Sequence, residues 1–91
     1  CAVLIDFDPL KNHQNFLKHG LYLALAPQLD WEDALIWPDL RKSYLEDRMS
    51  SLVPSGQQLF FVAFVDRGSL RRVISLRKAN SRELKRYVEN T

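Results

Sequence analysis

An unbroken apolar run, residues 59–65, constrains the fold of this chain more than any other feature. A run without alternation predicts a strand that is covered on both faces. Turn signals flank it on both sides, Pro-Ser-Gly at 54–56 and Asp-Arg-Gly-Ser at 66–69. Beyond these turns, residues 41–53 and 71–77 read as further strands. Because connections this short join antiparallel neighbours, the sequence predicts a meander with 59–65 in the middle.

The first helix has clear start and stop signals. Asp8 is placed to accept hydrogen bonds as the N-cap, and Pro9 suits the first helical position. Leu10 and Leu17 recur at a spacing of seven, and Gly20 suits the residue that ends the helix. These signals predict a helix from residue 9 to residue 19.

The remaining N-terminal segments are shorter. Residues 2–5 read as a strand, and residues 21–29 as a second short helix whose end is weakened by a proline. Residues 30–39 predict a turn and then a short strand around 34–37. With no linker or repeat, residues 1–91 are expected to form a single domain.

The final helix is predicted from Asn80, the N-cap, and Glu83, which completes a capping box. Its inner face is expected to consist of Leu84, Tyr87 and Val88. The whole chain therefore predicts an α+β fold: an antiparallel sheet meander with N-terminal helices and a C-terminal helix, the helices on one face of the sheet.

Charge is distributed unevenly along the chain. The net charge is +2, but residues 1–65 carry five basic and eight acidic side chains, whereas residues 66–91 carry eight basic and three acidic ones. The basic end indicates a polyanionic or acidic partner, unless it is only a solvated helix face. A single cysteine, together with the lack of a membrane-length apolar run or a signal-peptide pattern, predicts a reducing, cytoplasmic location.

The last strand carries the first candidate site. Alternation places Val73, Ser75 and Arg77 on one face, and Ile74 and Leu76 on the other. The second pair suits a core under helices, so Ser75 and Arg77 are expected on the opposite, more exposed face. A planar guanidinium there can hold a phosphate, although pairing with a nearby carboxylate would also explain an arginine.

A second candidate group precedes the turn at 54–56. Strand spacing places Tyr44, Glu46 and Arg48 on one face, provided that no bulge interrupts residues 41–53. A hydroxyl, a carboxylate and a guanidinium would then lie within reach of one another. The alternative is an exposed cross-strand salt bridge, worth only about 0–1 kcal/mol.

The two histidines do not form an acid–base pair by spacing. His13 and His19 are six residues apart, roughly 240° around a helix. At a helix C-terminus, the dipole is expected to stabilise the charged form of His19. His19 is then either a general acid or only a cap on the last carbonyl groups.

Other chemistries find little or no support. With one cysteine, two histidines and three glycines, the chain lacks the spacing of a metal site and a glycine-rich phosphate loop, so neither a metal nor another cofactor is predicted. Aromatic side chains can stack unpaired RNA bases. Trp31, Trp37, Tyr44 and Tyr87 could do so, although most aromatic residues of small domains lie in the core. Trp37 and Tyr87 are expected in the core, and for Tyr44 both readings stay open.

Two segments together resemble the BrnT family of small bacterial toxins. One is Arg-Val-Ile-Ser-Leu-Arg-Lys-Ala at 72–79, followed by Glu83 and Tyr87; the other is Phe-Asp-Pro-Leu-Lys at 7–11, followed by Asn15 and Lys18-His19-Gly20. The family pattern Asp-x-Arg-x-x-Tyr-Gly-Glu-x-Arg is also matched, by Asp39, Arg41, Tyr44, Glu46 and Arg48. Leu45 replaces the usual glycine. The resemblance runs from about residue 5 to residue 88.

The resemblance implies a RelE-like fold and a metal-independent endoribonuclease that inhibits translation and growth. It implies Glu46 as base, Arg48 and Arg77 as charge stabilisers, and Lys18 with His19 as substrate contact or acid. The expected RNA contacts are Tyr44 and Ser75, with Arg67, Arg72 and Lys78 as a basic rim that binds the backbone. It further implies a BrnA-like antitoxin that neutralises the toxin and alone contacts operator DNA. The alternative is a degenerate toxin that binds antitoxin or nucleic acid without cleaving it.

Overall fold

The computed structural model describes residues 4–38 and 48–90. These residues form an α+β fold, as predicted, and the arrangement is compatible with a RelE-like fold. In chain order the elements are strand β1 (Leu4–Asp6), helix α1 (Pro9–His19), 3-10 helices at Leu23–Gln28 and Trp31–Asp33, strands β2 (Leu35–Pro38), β3 (Arg48–Ser55), β4 (Gln58–Arg67) and β5 (Leu70–Lys78), and helix α2 (Ser81–Glu89).

The sheet has the strand order β1-β5-β4-β3-β2. The predicted meander with the apolar run in the middle is confirmed, since β4 pairs antiparallel with both β3 and β5. The predicted break at Pro54 is wrong, because β3 continues to Ser55 before turning at Gly56 (φ 57°). β2 begins at Leu35, opposite Leu52, so beyond Leu52 the described part of β3 is paired only with β4, and a proline is tolerated at such an edge.

Helix α1 begins and ends as predicted. The Asp8 carboxylate accepts a hydrogen bond from the N–H of Leu10, and Gly20 ends the helix with φ 74°. Leu10 and Leu17, however, are 65% and 71% exposed and do not face the core. The predicted second helix, 21–29, is a 3-10 helix instead.

A buried asparagine connects α1 to the sheet. The Asn15 amide donates to the carbonyl oxygens of Leu76 (2.7 Å) and Leu21 (2.8 Å), and its side-chain oxygen accepts from the N–H of Leu76 (3.1 Å). β1 pairs with β5 only over Leu70–Arg72, so Asn15 supplies the bonds that a neighbouring strand would make further along that edge. This contact fixes the end of α1 beside β5.

A β-bulge changes the faces of β5. Phe64 pairs with Val73 and Ala63 with Ser75, so Ile74 is skipped in the register. Val73 and Leu76 are therefore both buried in the core, whereas Ser75 and Arg77 point to the opposite face. The prediction is confirmed for Ser75 and Arg77 relative to Leu76. It is wrong for Val73, because alternation cannot anticipate an extra residue.

The core lies between one face of the sheet, α1 and the 3-10 helices. Its buried members are Leu23, Ala26, Leu29, Val53, Phe60, Val62, Phe64, Val73 and Leu76. Helix α2 contacts the opposite face, because Arg86 lies 4.0 Å over the ring of Trp37, which itself packs against Phe61. The expectation that all helices share one face is therefore wrong.

Helix α2 presents an unexpected side to the sheet. Its predicted capping box, Asn80 with Glu83, is confirmed. The side chains that reach the sheet or its connections are those of Glu83, Arg86 and Tyr87, and the Tyr87 hydroxyl donates to the carbonyl oxygen of Asp33 (2.7 Å). The apolar stripe is turned outward: Leu84 is 51% and Val88 64% exposed. The predicted inner face is thus wrong for both residues.

Candidate functional site

Two kinds of contact hold the guanidinium of Arg77 in place. Its Nη1 and Nη2 atoms donate to the two carboxylate oxygens of Glu83 at 2.7 and 2.9 Å. Its guanidinium carbon lies 4.3 Å from the centre of the Phe61 ring, the cross-strand neighbour of Arg77. A bidentate ion pair and an aromatic platform together fix the plane of this guanidinium.

The carboxylate of Glu83 stays ionised at neutral pH. Burial alone would raise its pKa, but hydrogen bonds from Arg77 and from the Asn80 N–H, together with the charge of Arg77, hold the pKa below the ordinary value of 4.5. Sequence reasoning recognised Glu83 only as part of a capping box. The available signal was a carboxylate in the first turn of the helix that follows the strand of Arg77. The sequence did not show that Arg77 is the residue it pairs with.

His19, at the end of α1, lies within the electrostatic reach of Arg77. Its pKa is below the ordinary 6.5 because burial disfavours the imidazolium and because the charges of Lys18 and Arg77 repel it. The expectation that the helix dipole would keep His19 charged is therefore wrong. The neutral imidazole can accept a proton at pH 7.

The effect of the Arg77 charge on the pKa of His19 can be tested by titration. We expect the Arg77→Ala variant to raise the pKa of His19, measured by NMR, since one repelling charge is removed. The Arg82→Ala variant removes an equal charge from α2 and should leave the His19 titration unchanged. An unaltered His19 pKa in Arg77→Ala would show that the two groups do not interact.

The same shift affects stability. Because the folded state disfavours protonated His19, the pKa of His19 is lower in the folded chain than in the unfolded chain. Between these two pKa values the unfolded chain binds the proton more readily. The unfolding free energy should therefore fall as the pH drops below about 6.5. His19→Gln should flatten this part of the pH profile measured by urea unfolding, and a profile as steep as that of the wild type would contradict the expected linkage.

Four more predicted residues lie on the same sheet face as Arg77. Arg48 pairs with Val65, which pairs with Arg72 on the other side, and Ser75 pairs with Ala63. Arg67 lies at the end of β4 on this face. By strand register, the row of Arg48 and Arg72 is about 13 Å along the strands from that of Arg77. The structure thus places these residues on one face of the sheet, spread along its strands.

Arg72 and Lys78 have different surroundings. Arg72 lies 3.7 Å from the Asp6 carboxylate at the β1 edge. Lys78 is exposed on the α1 side of the sheet, because it pairs with the core residue Phe60. It lines an open hollow of about 370 Å³ with Gln57, Gln58, Leu59, Ala79, Asn80, Ser81 and Leu84. Lys78 therefore belongs to a surface beside that of Arg77.

Tyr44 and Glu46 lie outside the described residues, as do Asp39, Arg41 and Leu45. Of that predicted group only Arg48 is described. Within residues 4–38 and 48–90, no group of three or more His, Cys, Asp and Glu side chains could hold a metal ion. No helix of the described chain is long and apolar enough to cross a membrane.

The described aromatic residues serve packing. The indole N–H of Trp31 donates to the carbonyl oxygen of Ala26 (2.8 Å), and its ring packs edge-on against Phe64. Trp37 and Tyr87 are half-buried between α2 and the sheet. Both residues pack at the contact between α2 and the rest of the chain and are not members of the core cluster, so the prediction that they lie in the core is wrong.

Comparison with known families gives the chain its class. A family model described as "Ribonuclease toxin, BrnT, of type II toxin-antitoxin system" matches residues 7–83. The chain is therefore a toxin of the type II toxin–antitoxin class. Within that class it belongs to the BrnT family of ribonuclease toxins. No curated protein matches the chain.

Proposed function

We propose that this toxin is a metal-independent endoribonuclease that cleaves RNA by attack of a ribose 2′-OH on the adjacent phosphate. The observation that carries the proposal is the guanidinium of Arg77, which Glu83 and the Phe61 ring hold in place. Its charge also contributes to the lowered pKa of His19, so that this imidazole is neutral at pH 7. A guanidinium can stabilise a charged phosphorane, and a neutral imidazole can accept a proton.

The reaction balances without a cofactor. The 2′-oxygen forms a bond to phosphorus as its proton moves to a base, and the bond from phosphorus to the 5′-oxygen breaks as that oxygen takes up a proton. The products are a 2′,3′-cyclic phosphate and a 5′-hydroxyl. Arg77 stabilises the negative charge that builds up on the phosphate oxygens. Arg48, about 13 Å further along the strands on the same sheet face, would stabilise the charge of the RNA backbone beside the reacting phosphate.

Two residues are candidates for the base. Glu46 has that role in the family resemblance, whereas neutral His19 is the candidate among the described residues. Their pH–rate profiles separate them. A His19 base gives an acidic limb below about 6.5 that His19→Gln abolishes, whereas with a Glu46 base the acidic limb survives this substitution.

The remaining cations would bind the RNA backbone. Arg67, Arg72 and Ser75 share the sheet face of Arg77, Lys78 is the next residue along β5, and Lys18 is exposed at the end of α1 next to His19. Tyr44 is proposed as a stacking contact. Because each neutralised phosphate releases counterions, RNA affinity should fall steeply with salt.

A BrnA-like antitoxin is the proposed protein partner, and operator DNA would be contacted only through it, in the cytoplasm. Leu84 and Val88 support a partner at α2, since this stripe is exposed beside Lys85 and close to the Arg77–Glu83 pair. An antitoxin segment lying there would bury apolar area and cover the basic surface.

The stripe can be tested directly. We expect the Leu84→Asp/Val88→Asp variant to weaken antitoxin binding at least tenfold by calorimetry, since about 1.4 kcal/mol of lost apolar burial has that effect. Leu17→Asp, on the exposed side of α1, is the matched control and should bind like the wild type. If Leu17→Asp weakens binding and the α2 variant does not, the antitoxin docks on α1.

The activity itself is tested by incubating the purified protein with single-stranded RNA in EDTA. Cleavage to 2′,3′-cyclic phosphate ends is the expected result. RNA left intact in buffer but cut in a translation extract would assign the toxin a ribosome-dependent activity. RNA left intact in both would contradict the proposal and favour a non-catalytic binding module.

A further inference from the structure

The guanidinium of Arg77 has two edges that can bind an anion, and among the described residues only the Nη1–Nη2 edge has hydrogen-bond partners. Nη1 and Nη2 hold the carboxylate of Glu83, and Nη1 also donates to the carbonyl oxygen of Lys78 (3.3 Å). The other edge consists of the Nε hydrogen and the second Nη2 hydrogen. Within residues 4–38 and 48–90 that edge has no hydrogen-bond partner.

Glu83 is itself held in place by the start of α2. Its Oε1 accepts the backbone N–H of Asn80 at 2.9 Å, and its own N–H donates to the Asn80 side chain at 2.9 Å. The side chain of Glu83 is only 16% exposed, against 32% for that of Arg77. The carboxylate is therefore a fixed support, whereas the arginine keeps contact with solvent.

We propose that Glu83 is a positioning residue: it holds Arg77 by the Nη1–Nη2 edge on the Phe61 ring, so that the Nε–Nη2 edge is presented to a phosphate of the RNA. The inference rests on the proposed function and extends it to a residue outside the predicted site. A free arginine side chain samples many rotamers, and fixing one beforehand removes this entropy cost from the reaction. The Nε–Nη2 edge has the spacing to donate to two oxygens of one phosphate.

Glu83→Gln isolates this role. Glutamine keeps the capping box, because its carbonyl oxygen can still accept the Asn80 N–H. It loses the second acceptor and places an NH₂ group against Nη2, so the bidentate pair cannot form. We expect kcat for RNA cleavage to fall about 10- to 100-fold. KM should change little, because Arg77 keeps its charge.

The matched control is Glu89→Gln, which removes the same charge from α2, where Glu89 is 4.0 Å from Lys85. This variant should keep wild-type kcat. Both variants are measured well below their melting temperatures, so that a purely structural role of Glu83 would lower Tm without lowering kcat. Wild-type kcat in Glu83→Gln would overturn the inference, and an increased kcat would show that Glu83 competes with the phosphate.

A double-mutant cycle separates the two proposals. If Glu83 acts through Arg77, adding Glu83→Gln to Arg77→Ala should cause no further loss of residual activity. An additional loss of the full 10- to 100-fold would overturn the positioning role. Full activity of Arg77→Ala alone would instead remove Arg77 from the site, and with it the proposed mechanism.

Discussion

Arg77→Ala is expected to lower kcat/KM for RNA cleavage about 100- to 1,000-fold, the usual cost of removing one donor that stabilises a charged transition state. Arg77 combines a bidentate ion pair with Glu83, an aromatic platform and a charge that contributes to the lowered pKa of His19. The same variant should no longer arrest bacterial growth when expressed without antitoxin.

Arg82→Ala provides the control for Arg77→Ala. Arg82 is exposed on α2, so this variant loses an equal charge from the basic end of the chain. It should retain nearly full activity and toxicity. Circular dichroism and urea unfolding must show Arg77→Ala to be folded, because it leaves Glu83 half-buried without its partner. A folded Arg77→Ala protein that stays toxic would contradict the assignment.

Asn15→Ala is expected to lower the unfolding free energy by about 2–4 kcal/mol, measured by urea unfolding. Asn15 is 7% exposed, and its side chain makes all three hydrogen bonds that join α1 to Leu76 and Leu21. Alanine would leave the N–H and carbonyl of Leu76 without partners in a buried place.

Asn12→Ala is the comparison for this loss. The Asn12 side chain also accepts one backbone hydrogen bond, from Ala24 at 3.1 Å, but at an exposed position where water can replace it. Asn12→Ala should lower the unfolding free energy by less than about 1 kcal/mol. Equal destabilisation by the two variants would show that burial of the Asn15 network contributes nothing.

Local signals predicted the features of this fold that depend on neighbouring residues. The caps of α1, the capping box of α2 and the meander around β4 follow from short-range chemistry, and all are present. By contrast, the parallel pairing of β1 with β5 and the bulge at Ile74 depend on contacts between distant segments. The alternation of apolar and polar residues along the sequence does not predict either feature.

The site shows the same division. Alternation placed Ser75 and Arg77 on the correct side of the sheet, since both follow the bulge together with Leu76. It could not show that Glu83 reaches across from α2, nor that the charge of Arg77 lowers the pKa of His19. The outward apolar stripe of α2 was also unpredictable, because Leu84 and Val88 look like a core face until the packing of Glu83 and Arg86 is known.

The most direct test of the mechanism is cleavage of a short RNA carrying a single 2′-deoxy nucleotide at the mapped cleavage site, with EDTA present throughout. If the adjacent 2′-OH is the nucleophile, the all-ribose RNA is cut to a 2′,3′-cyclic phosphate and the substituted RNA is not cut at that position. Equal cleavage of both RNAs, or loss of cleavage on adding EDTA, would contradict the account.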